Sequence, residues 1–313
     1  MAFPLDFGTA LPEEQAGIAG LDLTGTTVLV TGSTSGIGRA AALALGRLGA
    51  EVFVHGRDTE AGEAVVAEIE TGPGSARFFR ADFTDPAAVS GLAAAVENAT
   101  DGLDVLCNNA GGVFTDLGPT DLGVDRAFHV NHLAPYQLTA ELLDTLGPGS
   151  RVVTTASLAH RGATLSLDRL LDLAGLSPMA AYCRSKLANV QFALALADRL
   201  RAAGREVTST ALHPGVIPGS EFGRFMPGFA PTVGELAGTI PLFDTVEDGA
   251  ATIVYLAAAP GVADVTGAYF ARCRQVRPAA AARDRTAQRA LWERSADLLG
   301  IDEPLAGAAP TLD

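Results

Sequence analysis

The sequence is short of lysine. Of its 22 basic residues, 21 are arginine and one is lysine, Lys186. Against 36 acidic residues they leave a formal net charge of -14. Such a surface argues against nucleic acid or an anionic membrane as a partner, because both demand a basic footprint. Cysteine is scarce too. Cys107, Cys183 and Cys273 are odd in number and scattered, so they make neither a disulfide framework nor a metal-ligand pair. His129 and His132 lie three apart with no Glu and no third ligand beside them, and no metal is expected. No apolar run reaches the roughly 18 residues of a membrane span. The opening MAFPLDFGTALPEEQ lacks the basic and apolar regions of a secretory leader. These absences together lead to the expectation of a soluble, cytoplasmic protein. No Gly/Ser or charged linker divides the 313 residues, so one domain is expected.

What is present is alternation. Apolar, β-branched runs at 26–31, 51–55, 76–81, 103–109, 151–157 and 206–212 read as strands, with a seventh at 267–270. Ala- and Leu-rich stretches at 35–48, 59–70, 86–98, 121–146 and 179–203 read as helices, the fourth containing Pro135. Strands that are apolar throughout and separated by helices imply a parallel sheet covered on both faces. The expected fold is α/β, a single-domain doubly wound Rossmann-type sheet over residues 25–301, with an N-terminal extension (1–24) and a C-terminal tail (302–313). Residues 217–245 break the rhythm. They are rich in Gly, Pro, Phe, Met and Leu and read as a lid over an apolar substrate.

The first strand meets the first helix at TGSTSGIG, which places Gly32, Ser33, Ser35, Gly36, Ile37 and Gly38 at the turn. Gly32 permits a tight turn, Gly36 lets the backbone approach a pyrophosphate, and Gly38 permits close packing of the helix. The helix N-terminus offers N–H groups and a positive dipole end to phosphate. No Gly-Lys-Ser/Thr follows, so this is not a Walker loop. At the end of the second strand, where a carboxylate would bind the ribose 2′-OH of NAD, stands HGRD (His55 to Asp58). Gly56 occupies the acidic slot and Arg57 follows, and a guanidinium matches a 2′-phosphate. NADP(H) is therefore preferred, with NAD(H) as the alternative. Asp82, just past the third strand, is placed to accept a hydrogen bond from adenine, with Phe83 beside it.

Tyr182 and Lys186 stand four apart on a helix and share a face. An ammonium near a phenol stabilises the phenolate. Such a Tyr can give a proton to a carbonyl as hydride arrives, or take one from an alcohol. Ser157 ends the fifth strand, at the carboxyl edge where ligands bind in such sheets. The only lysine of the chain thus falls where a compact point charge is wanted and an arginine fork would not simply replace it.

TGSTSGIG, CNNAGG (Cys107 to Gly112), VNH (Val130 to His132), TTASLAH (Thr154 to His160), AYCRSK and LHPGVI (Leu212 to Ile217) occur in one order. This set resembles the short-chain dehydrogenase/reductase family over nearly the whole chain. VNHLAPYQLT, AYCRSKLAN, HPGVI and the tail AQRALWERSADLLGI are most similar to its retinol-dehydrogenase-like branch. The resemblance implies hydride exchange between a nicotinamide and an alcohol, aldehyde or ketone, here an apolar small molecule. It implies that Asn131, Ser157, Tyr182 and Lys186 form the catalytic set. Tyr182 is then the acid/base, Lys186 binds the nicotinamide ribose, Ser157 positions the carbonyl and Asn131 holds a water. It implies further that Asn109, Ala110 and Gly111 line the cofactor and that Pro214, Gly215 and Val216 flank the nicotinamide. A homo-oligomer paired through the helices at 121–146 and 179–203 is a further implication. The chain departs from the pattern at Gly219, where the family usually has Ser or Thr; Ser220 stands one later. Two rival readings keep the fold: a non-catalytic NADP(H) sensor, which has no need of the Ser, Tyr and Lys set, and a reductase of activated C=C bonds.

Overall fold

In the computed structural model, residues 10–217 and 244–308 are described. The lid expected at 217–245 and the Gly219/Ser220 departure lie almost wholly outside them. A short helix α1 (Pro12–Gln15) precedes β1 (Thr27–Val30), α2 (Gly36–Arg47), β2 (Glu51–Gly56), α3 (Thr59–Ile69), β3 (Ser75–Arg80), α4 (Pro86–Glu97) and β4 (Val105–Asn108). Then come α5 (Arg126–Phe128), a π-helical turn (His129–Leu133), α6 (Ala134–Glu141), β5 (Arg151–Thr155), α7 (Pro178–Ala202) and β6 (Thr208–His213). Helix α8 (Val246–Ala258), β7 (Ala268–Ala271), β8 (Arg274–Val276) and α9 (Arg285–Leu299) complete the described chain.

The strands form one sheet in the order β3-β2-β1-β4-β5-β6-β7-β8. All neighbours run parallel except β7 and β8. The order reverses between β1 and β4, so the carboxyl ends of these strands open a crevice at the switch point, as the doubly wound expectation requires. Successive residues of the strands serve opposite layers. Val28, Val30, Val52 and Val54 pack with α2, α3 and α8. Leu29, Phe53 and Leu106 pack with α4, α6, α7 and α9. Residues 10–24 join the first layer: Ala16, Ile18 and Leu23 are buried in it, and Arg47 forks onto the buried Glu13 at 2.6 and 2.8 Å.

The long helix expected over 121–146 is broken. Gly123 turns left-handed at φ 75°, and the Thr120 N–H closes that turn on the Val124 carbonyl at 2.9 Å. Asp125 then caps the helix by accepting from the Phe128 N–H at 3.0 Å. Pro135 has no N–H to give the Asn131 carbonyl, as an unbroken α-helix requires. The chain widens into a π turn instead, in which the Ala134 N–H reaches back to His129.

Helix α9 lies across α6 and α7. Trp292, 2% exposed, stacks on Phe192 with ring centroids 5.8 Å apart and meets Tyr136 edge-on at 5.0 Å. The Arg199 guanidinium sits 4.5 Å above its ring. Tyr136 donates to the Trp292 carbonyl at 3.0 Å. The helix faces through which a homo-oligomer was expected to pair are thus in part covered by the chain's own C-terminal helix.

Candidate active site

The glycine-rich turn is held rigidly from behind. The Ser33 N–H donates to the His55 carbonyl at 2.9 Å, and Ser33 Oγ donates to the Val30 carbonyl at 2.7 Å. The Gly32 N–H donates to His55 Nδ1 at 3.2 Å. Burial lowers the His55 pKa to about 4, so the ring is neutral and available as that acceptor. A Cβ on Gly38 would lie 2.3 Å from the Gly32 carbonyl oxygen and 2.4 Å from Asn109 Nδ2. Only glycine permits this approach of helix to turn. Gly36, at φ 53°, has nothing within 4 Å of the place its Cβ would take. Ser35 stands at the N-cap of α2 without a side-chain capping bond. An open space over a left-handed glycine, facing an uncapped helix N-terminus, fits the diphosphate of a dinucleotide.

Around this cradle the expected cofactor residues gather. Thr31 Oγ1 accepts from the Asn109 and Ala110 N–H groups at 2.9 and 3.0 Å. Asn109 Nδ2 donates to the Thr31 carbonyl at 3.0 Å. These bonds tie the loop after β4 to the turn after β1. Phe83 is buried and stacks on the His55 ring at 4.5 Å. Asp82 accepts from the Thr84 N–H and hydroxyl at 3.0 and 2.9 Å. Arg57 is exposed at the rim. On the other side Gly215, at φ 98°, would put a Cβ 2.2 Å from Asp244 Oδ2. That oxygen accepts from the Val216 N–H at 2.9 Å, and Arg272 Nε donates to Oδ1 at 2.9 Å. Asp244 therefore fixes the Pro214–Val216 segment.

The four expected catalytic residues come together at the end of β5, on α7 and in the π turn. Tyr182, 8% exposed, is hydrogen-bonded to Ser157. Burial pushes its phenol up to about 12, and the Ser157 bond opposes that rise. Lys186, 3% exposed, has Nζ 5.7 Å from the Tyr182 ring centroid and donates to the Thr155 carbonyl at 3.0 Å. Burial lowers its pKa to about 8. Asn131, in the π turn, accepts from the Gly112 N–H at 2.9 Å and donates from Nδ2 to the Gly112 carbonyl and Ser185 Oγ, at 3.0 and 2.9 Å. Its amide fastens the loop after β4 to α7. Gly111 passes so close that its Cβ would lie 2.5 Å from Asn131 Oδ1.

Several supports escape sequence reasoning. His160 is one. The Ala279 N–H donates to its Nε2 at 3.1 Å, which leaves the proton on Nδ1, 2.7 Å from the Ser157 carbonyl. Ser185, Thr155 and Asp244 are others. His160 and Thr155 stand in TTASLAH and Ser185 in AYCRSK, though without a role assigned to them there; Asp244 carries no signal. Among the described residues no group of three or more His, Cys, Asp or Glu side chains could hold a metal, and no helix is long and apolar enough to cross a membrane.

A parallel sheet with a glycine cradle at its switch point and a Ser–Tyr–Lys cluster at the same edge defines a nicotinamide-dependent oxidoreductase. The family model for short chain dehydrogenases matches residues 26–224. The chain belongs to that family, in its retinol-dehydrogenase-like branch. It is 38% identical over 284 residues to mouse (Mus musculus) polyprenol dehydrogenase, covering 88% of this chain and 84% of that protein. It is 36% identical over 297 residues to human (Homo sapiens) retinol dehydrogenase 13, covering 92% and 88%. Among solved structures, a short chain dehydrogenase from Burkholderia cenocepacia J2315 in complex with NADP is similar at a TM-score of 0.63 and 29% identity, covering 80% of this chain and 96% of that one.

Proposed function

We propose that the protein exchanges hydride between NADP(H) and the carbonyl or alcohol of an apolar small molecule, with Tyr182 as the proton donor and acceptor. The observation that carries this reading is the cluster at the sheet edge: a buried phenol bonded to Ser157, with an ammonium 5.7 Å from its ring centroid. The cofactor supplies the hydride; the residues of the chain supply position and the proton. The Tyr182 phenol, raised to about 12, holds its proton at neutral pH and is ready to give it to a carbonyl oxygen as hydride reaches the adjoining carbon. Ser157 donates to the same oxygen and aligns it. The phenolate left behind is stabilised by Lys186 across the short gap. In the oxidative direction the same phenol must first lose its proton, so alcohol oxidation should rise with pH while carbonyl reduction falls.

NADP(H) rather than NAD(H) is supported by Gly56 at the acidic slot with Arg57 exposed beside it, and by the NADP complex of the similar bacterial structure. An apolar substrate is supported by the names of the relatives, polyprenol and retinol dehydrogenase, both of which denote apolar alcohols. A panel of ketones, aldehydes and alcohols assayed with NADPH/NADP⁺ and NADH/NAD⁺ tests the reading. Tyr182→Phe should lower turnover about 10²–10⁴-fold while NADPH binding persists. Unchanged turnover would remove Tyr182 from its role.

A further inference from the structure

Gly56 closes β2, and its backbone is not left-handed. A side chain there meets no conformational objection; the objection is space. A Cβ on Gly56 would lie 2.4 Å from Thr34 Cγ2, 2.9 Å from Thr34 Oγ1 and 3.3 Å from Thr34 Cβ. Both heavy branches of the threonine thus press on one spot. A threonine has two heavy branches for three staggered positions. Any turn about its χ1 therefore leaves at least one of the two offending positions filled. Nor can the backbone retreat easily. The turn that carries Thr34 is fixed on one side by Ser33 Oγ on the Val30 carbonyl at 2.7 Å and by the His55 N–H on Ser33 Oγ at 3.0 Å. Strand β2 is fixed between β1 and β3, in a register that runs to Gly56 opposite Arg80.

We propose that Thr34 is a specificity-determining residue, occupying the space a carboxylate would need at the end of β2, so that the choice of cofactor is set jointly by Thr34, Gly56 and Arg57. The proposal rests on the NADP(H) reading above. With the slot filled by a neutral side chain, no acid at position 56 can sit there to bind the ribose 2′-oxygen or repel a phosphate. Arg57, one residue on, has its carbonyl held by Arg80 Nε at 3.1 Å. That bond brings a second guanidinium to the same corner, and two cations beside an acid-free slot suit a 2′-phosphate. A consequence follows for redesign. An acid at position 56 alone collides with Thr34, so a switch toward NADH needs both positions changed together.

A double-mutant cycle tests this. NADPH and NADH dissociation constants are measured by nicotinamide fluorescence on the wild type, Gly56→Asp, Thr34→Ala and the double variant. Gly56→Asp alone should weaken both cofactors by about tenfold or more, in line with overpacking costs. Adding Thr34→Ala should recover NADH by about tenfold and leave NADPH weak. The proposal is overturned if Gly56→Asp alone improves NADH binding, or if Thr34→Ala adds nothing to it. A second arm needs no cofactor: Gly56→Ala should lower the melting temperature of the ligand-free protein, and Thr34→Ala should restore most of the loss. Additive melting shifts would also overturn the proposal. If the wild type binds NADH as tightly as NADPH while the melting shifts remain coupled, the NADP(H) reading fails and the steric pairing of Thr34 with Gly56 stands.

Discussion

The two sides of the active-site cleft are built by different means. On the cofactor side, the turn is joined to the strands beside it in the sheet and to the loop after β4: Gly32 and Ser33 to His55, Ser33 to Val30, and Thr31 to Asn109 and Ala110. On the side of the π turn and α7, stability comes from afar. Tyr136 bonds to Trp292, His132 Nε2 lies 2.9 Å from Ser295 Oγ, and Arg199 pairs with Glu303 at 2.8 Å. The first side is rigid on its own account. The second takes its shape from a helix contributed by the far end of the chain. Binding and stability should therefore respond separately to mutation on the two sides.

The largest separation should come from Trp292→Ala. The indole is buried between Tyr136, Phe192 and Arg199, and removing such a side chain costs about 3–5 kcal/mol. Ligand-free unfolding in urea should show that loss, while the NADPH dissociation constant of the remaining folded protein changes by no more than about twofold, since no contact of Trp292 touches the glycine turn. A large loss of NADPH affinity in the folded variant would break the comparison and show the two sides to be one cooperative unit.

The reverse case is Arg57→Ala. Arg57 is exposed and supports no core packing, so the melting temperature should hardly move. A hydrogen bond to a charged group is worth about 1.5–3 kcal/mol, so NADPH should bind about tenfold to a hundredfold more weakly, with NADH within about twofold. Equal loss for both cofactors would show that Arg57 shapes the rim in general and does not read the 2′-phosphate.

The same division governs what could be read from the sequence. The cofactor side was legible because its rules are local: TGSTSGIG after a strand and before a helix already specifies which glycine must turn and which must admit a helix. Lys186 was legible for an unusual reason, its isolation in a chain that otherwise uses arginine. The far side was not. Asp121 to Leu146 has helical composition throughout, and nothing in it announces that Asp125 is occupied as a cap and ion-pair partner of Arg184. Helix α8 passed unread beside the irregular stretch before it. The β7–β8 hairpin turns at Arg272 and Cys273, with φ 48° and 56°. Such turns are usually signalled by Asn-Gly or Asp-Gly, and neither is there. The support of Ser157 by His160 needs Ala279, a partner far along the chain that no spacing rule foretells.

The smallest effect is expected at Lys186, where the two sides meet: it stands on α7, yet faces the cofactor loop, with Nζ 3.5 Å from the place a Cβ of Gly111 would take. In the ligand-free protein its pKa lies near 8, below the ordinary 10.5, because burial disfavours the ammonium. Between those two values the folded lysine is neutral and the unfolded one protonated. The unfolded chain then binds more protons, so this group's contribution to stability improves as pH rises from about 8 to 10.5, and its burial penalty is complete below about 8. Ribose hydroxyls and nearby phosphate charge favour the ammonium. Cofactor binding should therefore draw a proton onto Lys186 in the window just above pH 8, and affinity should weaken as pH climbs through it. Calorimetric titration with NADPH at about pH 8.5, in buffers of different ionisation enthalpy, reads that proton directly. A fractional uptake is expected in the wild type and none in Lys186→Met. Absence of uptake in the wild type would mean that the ammonium is already charged before the cofactor arrives. The Thr155 carbonyl, which accepts from Nζ at 3.0 Å, would then be enough to hold the charge within α7's own layer, and the lysine would belong to the far side of the cleft rather than to both.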